Sequence, residues 1–216
     1  MPLPMIHLSI AKSILDSGYK ANDVSQFYLG SISPDAIHMR KDTNRKDKND
    51  THLIPEGKRW IDVDEAEYYG FMLDYFLKNQ HKADKDFLCG YGIHILADMI
   101  WTKQVYYEFV ERYKKDPSPV QEERMAYYND TDGLDLILYN ESAWRSDVWQ
   151  YLRMAHCADF LDLLSGDEIN LWKERTLNWF DSGNGINKYP VKYIAITDVH
   201  NFLSTCIGSI LDGLNF

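Results

Sequence analysis

The 216-residue sequence predicts an all-α protein, a single-domain multi-helix bundle that spans residues 1–216. In most segments apolar residues recur at the spacing of a helix, and Gly and Pro residues separate those segments. One short stretch, VKYIAI (191–196), is a candidate strand, but we expect it to be an extended lead-in to the last helix. No internal repeat or linker indicates a second domain, and a hydrophobic fraction of 45% can supply a sizeable core.

The N-terminal part of the chain predicts two helices and a loop. The first helix covers about residues 4–16, and its inward face consists of Leu3, His7, Ile10 and Ile14. Gly18 lies just beyond its end, where helices often terminate. The second helix covers about residues 23–32, because Pro34 cannot continue it. Residues 40–57 are polar and without periodicity, which predicts a long solvated loop.

The remaining helices follow from caps, periodicity and breakers. A capping pattern at residues 62–65 starts a third helix that runs to about Asn79, with a predicted buried face of Ala66, Tyr69, Leu73 and Phe76. The longest helix is expected over about residues 84–114, since its basic last part precedes Pro117. Further helices are expected over about residues 120–128, 131–140, 143–164, 167–181 and 198–213, with a turn-rich connector at 182–190.

Charge and cysteine content restrict the possible partners. The formal net charge is −10, whereas nucleic acids and anionic membranes reward clustered Lys and Arg. No apolar run reaches the roughly 20 residues of a membrane span, and the N-terminus does not resemble a secretory signal. We therefore expect no nucleic acid and no integral membrane contact, whereas a small phosphate-bearing substrate is not excluded, because a metal site could supply positive charge locally. No CxxC pair occurs, so we expect reduced core cysteines in a cytoplasmic protein: Cys89, Cys157 and Cys206.

The most informative segment is FLCGYGIHILADMIW, residues 87–101. Its only groups expected to be charged near neutral pH are His94 and Asp98, on a helix face that should be buried. Burying a carboxylate costs several kcal/mol unless it is paired or binds a metal. The spacing of four residues stacks the two side chains one turn apart, so they point the same way.

Two interpretations fit this pair. His94 and Asp98 can hydrogen-bond each other and hold a core together. Alternatively, both can ligate one metal ion, since imidazole nitrogen and carboxylate oxygen are standard zinc ligands. The pair supplies only two ligands, so a metal site requires contributions from other segments.

Four further residues in the first half of the chain are candidate ligands. His7 lies within the apolar face of the first helix and is either a core histidine or a ligand. Asp35 follows Pro34 at a sharp helix end and is either a cap residue or a ligand. His38 is a surface residue, a support for a ligand or a ligand itself, and His52, after the polar stretch, is a surface residue or a ligand. Their conjunction favours a metal site.

These residues stand in an order that resembles the zinc-dependent phospholipase C family. The order is His7, then SPD at residues 33–35, TH at 51–52 and GYGIHILAD at 90–98, and it is most similar to the intracellular bacterial phospholipase C/D-domain branch. The resemblance covers roughly residues 3–105. It implies an all-helical fold of the phospholipase C and P1 nuclease type. It also implies a general-base role for Asp35 and zinc ligation by His7, Asp35, His52, His94 and Asp98.

The chain departs from the secreted members of that family in two places. Gln104 stands where they have a further histidine, and no HxxxE pair occurs. The resemblance therefore implies one or two metal ions rather than three. The implied activity is metal-dependent hydrolysis of a phosphodiester or a phospholipid head-group ester, and a soluble phosphoester is as reasonable a substrate as a membrane lipid.

Two other functions stay open from the sequence. A phosphohydrolase of the HD type, acting on nucleotides, is also helical and binds metal through His and Asp. It requires an adjacent His-Asp dipeptide, which this chain lacks. A degenerate family member would keep the scaffold as a non-catalytic metal-binding module, and the missing HxxxE pair favours that alternative.

The other histidine and acidic residues favour structural roles. His156 is expected within a helix, His200 at the start of the last helix and His81 on the surface. His156 or His200 would add a ligand if its helix packed against the helix at 84–114. Asp132 and Asp135 mark a helix start near residue 131 or support a ligand from behind, and we expect the helix start.

Overall fold

The computed structural model describes residues 3–181 and 189–214, and within these ranges the protein is all-helical, as predicted. The α-helices are α1 Pro4–Asp16, α2 Val24–Ile32, α3 Arg45–Thr51, α4 Glu65–Asn79, α5 Lys85–Trp101, α6 Tyr107–Lys114, α7 Glu123–Glu141, α8 Arg145–Met154, α9 Gly166–Asn178 and α10 Ile196–Leu214. Two 3-10 segments, Ser33–Met39 and Trp60–Asp62, and a π turn, Thr102–Tyr106, lie between them. Residues 182–188 of the predicted connector lie outside the described ranges.

Helix α5 forms the centre of the core, and α2 crosses it in backbone contact. Every α5 residue from Asp86 to Trp101 is buried. A Cβ added at Gly30 would lie 2.1 Å from the carbonyl oxygen of Phe87, and one at Gly90 would lie 2.1 Å from that of Phe27. Only glycine permits two backbones to approach so closely. The crossing therefore holds the end of α2, and the 3-10 segment after it, against α5.

Most predicted helices are confirmed with bounds close to those expected. The helix predicted at 84–114 is present as α5, the π turn and α6, which follow one another without a break. Helices α1, α2, α4, α9 and α10 also correspond to predicted ones. Residues 191–195 form neither helix nor strand before α10, as expected.

The loop prediction for residues 40–57 is wrong where α3 forms. The Asn44 side-chain oxygen accepts hydrogen bonds from the backbone N–H groups of Lys46 (2.7 Å) and Asp47 (3.1 Å). The Asp47 carboxylate accepts one from the N–H of Asn44 (3.0 Å) in return. This reciprocal capping box stabilises a short helix that has no apolar face, so hydrophobic periodicity could not reveal it.

The predicted break between helices at 120–128 and 131–140 is also wrong, because α7 is one helix. Asp132 and Asp135 lie in its middle rather than at a start. The carboxylate of Asp130 accepts three backbone hydrogen bonds at 3.1, 2.5 and 3.0 Å, those from the N–H groups of Lys192, Tyr193 and Ile194. Asp135 accepts one from the N–H of Met5 at 2.9 Å. Acidic residues of this segment therefore cap other parts of the chain.

The helix predicted over residues 143–164 is wrong in its second half, because α8 ends earlier. An isolated β-bridge joins Phe160 to Leu164 instead. Phe160 is buried, and its ring centroid lies 4.4 Å from that of Tyr91. Burial of this ring outweighs the helical tendency of the segment. His156 is consequently exposed and outside any helix.

Helix α4 begins near its predicted cap but buries a different face. The Asp64 carboxylate accepts a hydrogen bond from the N–H of Glu67 at 3.0 Å. The buried residues are Tyr68 and Met72, because the Tyr68 ring packs edge-on against Trp60 at 5.3 Å. Of the four residues predicted to be buried, Ala66 is exposed, and the other three are half-buried: Tyr69, Leu73 and Phe76.

Two further expectations concern the cysteines and the membrane. All three cysteines are free; Cys89 and Cys206 are buried as expected, whereas Cys157 is half-buried. In the part of the chain that the structure describes, no helix combines the length and the apolar character that crossing a bilayer requires.

The hydrogen bond that Asp135 accepts from Met5, at the start of α1, can be tested by substitution. Burial raises the pKa of Asp135 well above its ordinary value, and its Oδ2 has no partner among the described residues. The folded state therefore binds this proton more tightly than the unfolded state, so the carboxylate costs stability as the pH rises through its folded pKa. Asp135→Asn keeps an oxygen for Met5 without the charge. We expect it to be about 1 kcal/mol more stable than wild type at pH 8 in urea unfolding.

The pH dependence separates this explanation from a general packing effect. The gain of Asp135→Asn should shrink as the pH falls toward the ordinary carboxyl range near 4, where wild type is protonated as well. Asp16→Asn, at a surface position paired with Lys12, is the matched control and should change stability little at either pH. An Asp135→Asn effect of equal size at both pH values would contradict the assignment.

Candidate metal centre

Five side chains from four segments meet beside α5. His7 comes from α1, Asp35 from the 3-10 segment after α2, and His52 from the residue after α3, while His94 and Asp98 come from α5. Each is 4% exposed or less. The structure thus brings together all five residues that the sequence singles out as candidate ligands. We call them the metal-centre cluster.

The nitrogen and oxygen atoms of the cluster face one another at distances typical of shared metal ligands. His52 Nε2 lies 3.5 Å from Asp35 Oδ1 and 3.6 Å from Asp98 Oδ2, and His7 Nε2 lies 3.5 Å from Asp98 Oδ1. These separations exceed those of normal hydrogen bonds. Two ligands bound tetrahedrally to zinc at about 2.0–2.2 Å stand about 3.3–3.6 Å apart. The spacing therefore fits ligands around a cation.

Backbone carbonyls fix the rings of His94 and His52. His94 Nδ1 lies 2.8 Å from the carbonyl oxygen of Ser31, and His52 Nδ1 lies 3.0 Å from that of Lys48. A carbonyl only accepts hydrogen bonds, so each Nδ1 carries the proton and each Nε2 turns a lone pair toward the cluster. Metal-binding histidines are usually held in this way through their other nitrogen.

The cluster contains an unusual number of unpaired polar atoms. Rings of His7 and His94 stack with centroids 3.6 Å apart and planes 8° apart. Buried polar atoms in proteins are nearly always hydrogen-bonded. Among the described residues, seven buried ligand atoms of the cluster nevertheless have no partner: Nδ1 and Nε2 of His7, Oδ1 of Asp35, Nε2 of His52, Nε2 of His94, and Oδ1 and Oδ2 of Asp98.

The interpretation without a metal required a hydrogen bond between His94 and Asp98. That bond is absent from the described part of the chain, because neither Asp98 oxygen has a hydrogen-bond partner and His94 bonds Ser31 instead. The pair therefore does not satisfy itself, and the polar atoms of the cluster remain open to a cation.

Burial determines the charge of these groups. Burial lowers the pKa of His7 well below its ordinary value and also lowers that of His94. Both imidazoles are therefore neutral near pH 7, which is the form that binds metal. Burial raises the pKa of Asp98. Burial alone would also raise the pKa of Asp35, but the neighbouring histidines more than offset it and hold that pKa well below its ordinary value.

The cluster fits a metal ion by the chemistry of its atoms. It contains two overlapping sets of three residues whose ligand atoms lie within 4.8 Å of one another: His7, His94 and Asp98, and Asp35, His52 and His94. Such nitrogen and oxygen ligands suit zinc and other divalent ions. Nδ1 of His94 is hydrogen-bonded to the Ser31 carbonyl, so only Nε2 can bind a metal. One nitrogen binds one ion, so the two sets of three ligands cannot both be complete at the same time.

No protein-family model, curated protein or solved structure matches this chain. The resemblance to the zinc-dependent phospholipases C therefore stays a prediction from the order of the motifs.

His38 connects the cluster with the surface. Its side chain is 44% exposed, and its Nε2 lies 3.6 Å from Asp35 Oδ1 and 3.1 Å from Lys48 Nζ. The other histidines lie outside the cluster and are exposed: His81, His156 and His200. Neither His156 nor His200 adds a ligand among the described residues.

Three supporting contacts were missed by sequence reasoning. Two are the carbonyl groups of Ser31 and Lys48, and backbone groups leave no signature in a sequence. The third is the hydroxyl of Tyr91, which donates to the carbonyl oxygen of Thr51, next to His52. The GY pair before the HxxxD segment was the available signal for this contact.

Proposed function

We propose that this protein is a metal-dependent phosphoester hydrolase of the phospholipase C type, with one or two zinc ions held by the metal-centre cluster. The observation that carries the proposal is the concentration of seven unpaired ligand atoms in one buried place. Their nitrogen and oxygen chemistry, and their spacing of about 3.5 Å, support zinc as the ion.

The five cluster residues would hold the metal. When bound, it would supply Lewis-acid activation of a phosphoryl group and of a water molecule. The chain itself supplies the orientation, because the Ser31 and Lys48 carbonyls keep the rings of His94 and His52 in one tautomer and one direction.

Asp35 is the residue that we propose as general base. Its carboxylate has two oxygens, so one can hold the metal while the other accepts a proton, and Oδ1 has no hydrogen-bond partner among the described residues. The lowered pKa keeps the carboxylate ionised at neutral pH. His38 lies 3.6 Å from this oxygen and is partly exposed, which gives the proton a route to solvent.

The position of Lys48 is an argument for a negatively charged substrate. Its ammonium group lies 3.1 Å from Nε2 of His38, where the cluster reaches the surface. The protein as a whole carries a net charge of −10, so a cation at this point favours approach of a negatively charged ester. This placement, together with the order of the motifs, supports a small phosphoester or a phospholipid-derived substrate.

Asp35→Asn tests the proposed function. The amide retains an oxygen that can bind metal but cannot accept the proton, so we expect kcat to fall about 100-fold or more. The measurement is hydrolysis of bis(4-nitrophenyl) phosphate and 4-nitrophenyl phosphorylcholine at saturating zinc, with zinc content determined on the same samples. Asp16→Asn, an exposed aspartate on α1, is the control and should leave kcat unchanged. Full activity in Asp35→Asn would exclude Asp35 as the base.

A second candidate function is a closed structural metal centre without catalysis. The observation that favours it is burial, since all five cluster residues are 4% exposed or less and structural zinc sites are enclosed. Stoichiometric zinc in wild type, together with no turnover of a broad phosphoester panel, would favour this candidate over the hydrolase.

A further inference from the structure

A large open pocket lies between α3, the 3-10 turn Trp60–Asp62, the π turn and α6. Its volume is about 720 Å³, which is in the range of small-molecule sites. None of the five residues of the metal-centre cluster lines it. Its residues therefore define a candidate site separate from the proposed metal centre.

The π turn gives this pocket an aromatic wall. Its hydrogen bonds join residues five apart, so Thr102 and Tyr107 come to the same side of the helix, beside Tyr106. Trp60 and Ile54 line the pocket as well. Aromatic side chains prefer to pack against other flat rings, so this wall favours a ligand that contains one.

Trp60 carries a hydrogen-bond donor without an acceptor. The residue is 6% exposed, and its indole Nε1 is buried and has no partner among the described residues. A buried tryptophan N–H usually finds an acceptor. Since this nitrogen has almost no accessible surface, a bound molecule cannot reach it, and Trp60 contributes only ring surface to the pocket wall.

Positive charge is concentrated here although the protein is acidic. Four basic side chains line the pocket, against the one carboxylate of Glu123. Arg59 and Lys114 form ion pairs with acidic residues that do not line the pocket. Arg45 and Lys58 are exposed and have no ion-pair partner among the described residues. Two cations are thus available to a ligand.

We propose that this pocket binds a small organic anion with a planar aromatic ring. The ring would pack against Tyr106 and Tyr107, and the anionic group would lie against Arg45 and Lys58. The volume suits a molecule of drug size rather than a polymer. The inference does not depend on the proposed hydrolase activity, because no residue is shared with the metal-centre cluster.

Isothermal titration of the full-length, metal-loaded protein with naphthalene-2-sulfonate tests this proposal. We expect one molecule to bind per chain. Binding of 2-naphthol, which has the ring without the charge, and of inorganic sulfate, which has the charge without the ring, should each be at least about 10-fold weaker. Equal binding of 2-naphthol, or no binding of the sulfonate at millimolar concentration, would overturn the proposal.

Variants locate the binding in the pocket. The double variant Arg45→Gln/Lys58→Gln should weaken sulfonate binding at least about 10-fold. The control Lys82→Gln/Lys85→Gln removes the same charge at exposed positions outside the pocket and should change affinity less than about twofold. Unchanged binding in the Arg45/Lys58 variant would overturn the assignment. A sulfonate is not a phosphoester, so this result is independent of whether the protein is a hydrolase.

Discussion

His94→Ala should lose the bound metal and, with it, any hydrolytic activity. His94 belongs to both sets of three candidate ligands, so its removal affects every arrangement of ions that the cluster permits. Loss of a supporting hydrogen bond behind a ligand typically costs about 10–100-fold in metal affinity, and loss of the ligand itself should cost more than that. We therefore expect near-stoichiometric zinc in wild type and background zinc in the variant.

Elemental analysis of protein purified without added metal is the decisive measurement. His200→Ala removes an exposed histidine outside the cluster and should retain the metal content of wild type. Because a truncation in the core can also destabilise the protein, circular dichroism and urea unfolding must accompany the analysis. Asp98→Asn, which changes charge with little change in volume, should also lower zinc content. Stoichiometric metal in a folded His94→Ala protein would remove the basis of the proposed centre.

Gly90→Ala should destabilise the fold severely. The added Cβ would lie 2.1 Å from the carbonyl oxygen of Phe27 and 2.9 Å from the backbone nitrogen of Ser31. Backbone atoms cannot rotate away as a side chain can, so α2 and α5 would have to separate. Overpacking ordinarily costs about 1–3 kcal/mol, and we expect more than 3 kcal/mol here, against a total stability of about 5–15 kcal/mol. The separation would also move the Ser31 carbonyl from His94.

Gly70→Ala is the matched control, because it is the same substitution within a helix. A Cβ at Gly70 has nothing within 4 Å, so the change should be neutral or stabilise by up to about 1 kcal/mol. Urea unfolding followed by circular dichroism compares the two variants, and zinc content reports on the centre. Similar stabilities for Gly90→Ala and Gly70→Ala would show that the backbones of α2 and α5 leave room for a Cβ at Gly90.

Much of this architecture could be predicted from local sequence patterns. The helices at both ends of the chain and the long central helix have strong periodicity or clear caps, and these are present. The juxtaposition of His94 and Asp98 follows from their spacing on a buried helix. Their convergence with His7, Asp35 and His52 does not follow from spacing, because it depends on how α1, α2 and α3 pack against α5. The order of the motifs was the only sequence signal for it.

Two of the errors have a common physical cause, which is long-range satisfaction of polar or aromatic groups, whereas the missed helix α3 depends on a local cap instead of an apolar stripe. Asp135 was predicted at a helix start, yet its carboxylate accepts a backbone hydrogen bond from a residue 130 positions away in the chain, and that of Asp130 accepts others from a segment about 60 residues away. Phe160 ends a predicted helix by packing against Tyr91. Such partners are set by the tertiary fold and leave no periodic pattern.

The dependence of α3 on its cap has a consequence for the lifetime of a bound ion. The five residues of the metal-centre cluster are nearly fully buried, so we expect release of an ion to require local opening of the protein around them. Helix α3 is short and has no apolar face, only Thr51 of its residues is buried, and the residue that follows it is His52. Local opening of such a segment requires far less free energy than opening of α5. Fraying of α3 should therefore set the rate at which a chelator extracts the metal, and weakening the Asn44 cap should accelerate extraction without changing the other four ligands.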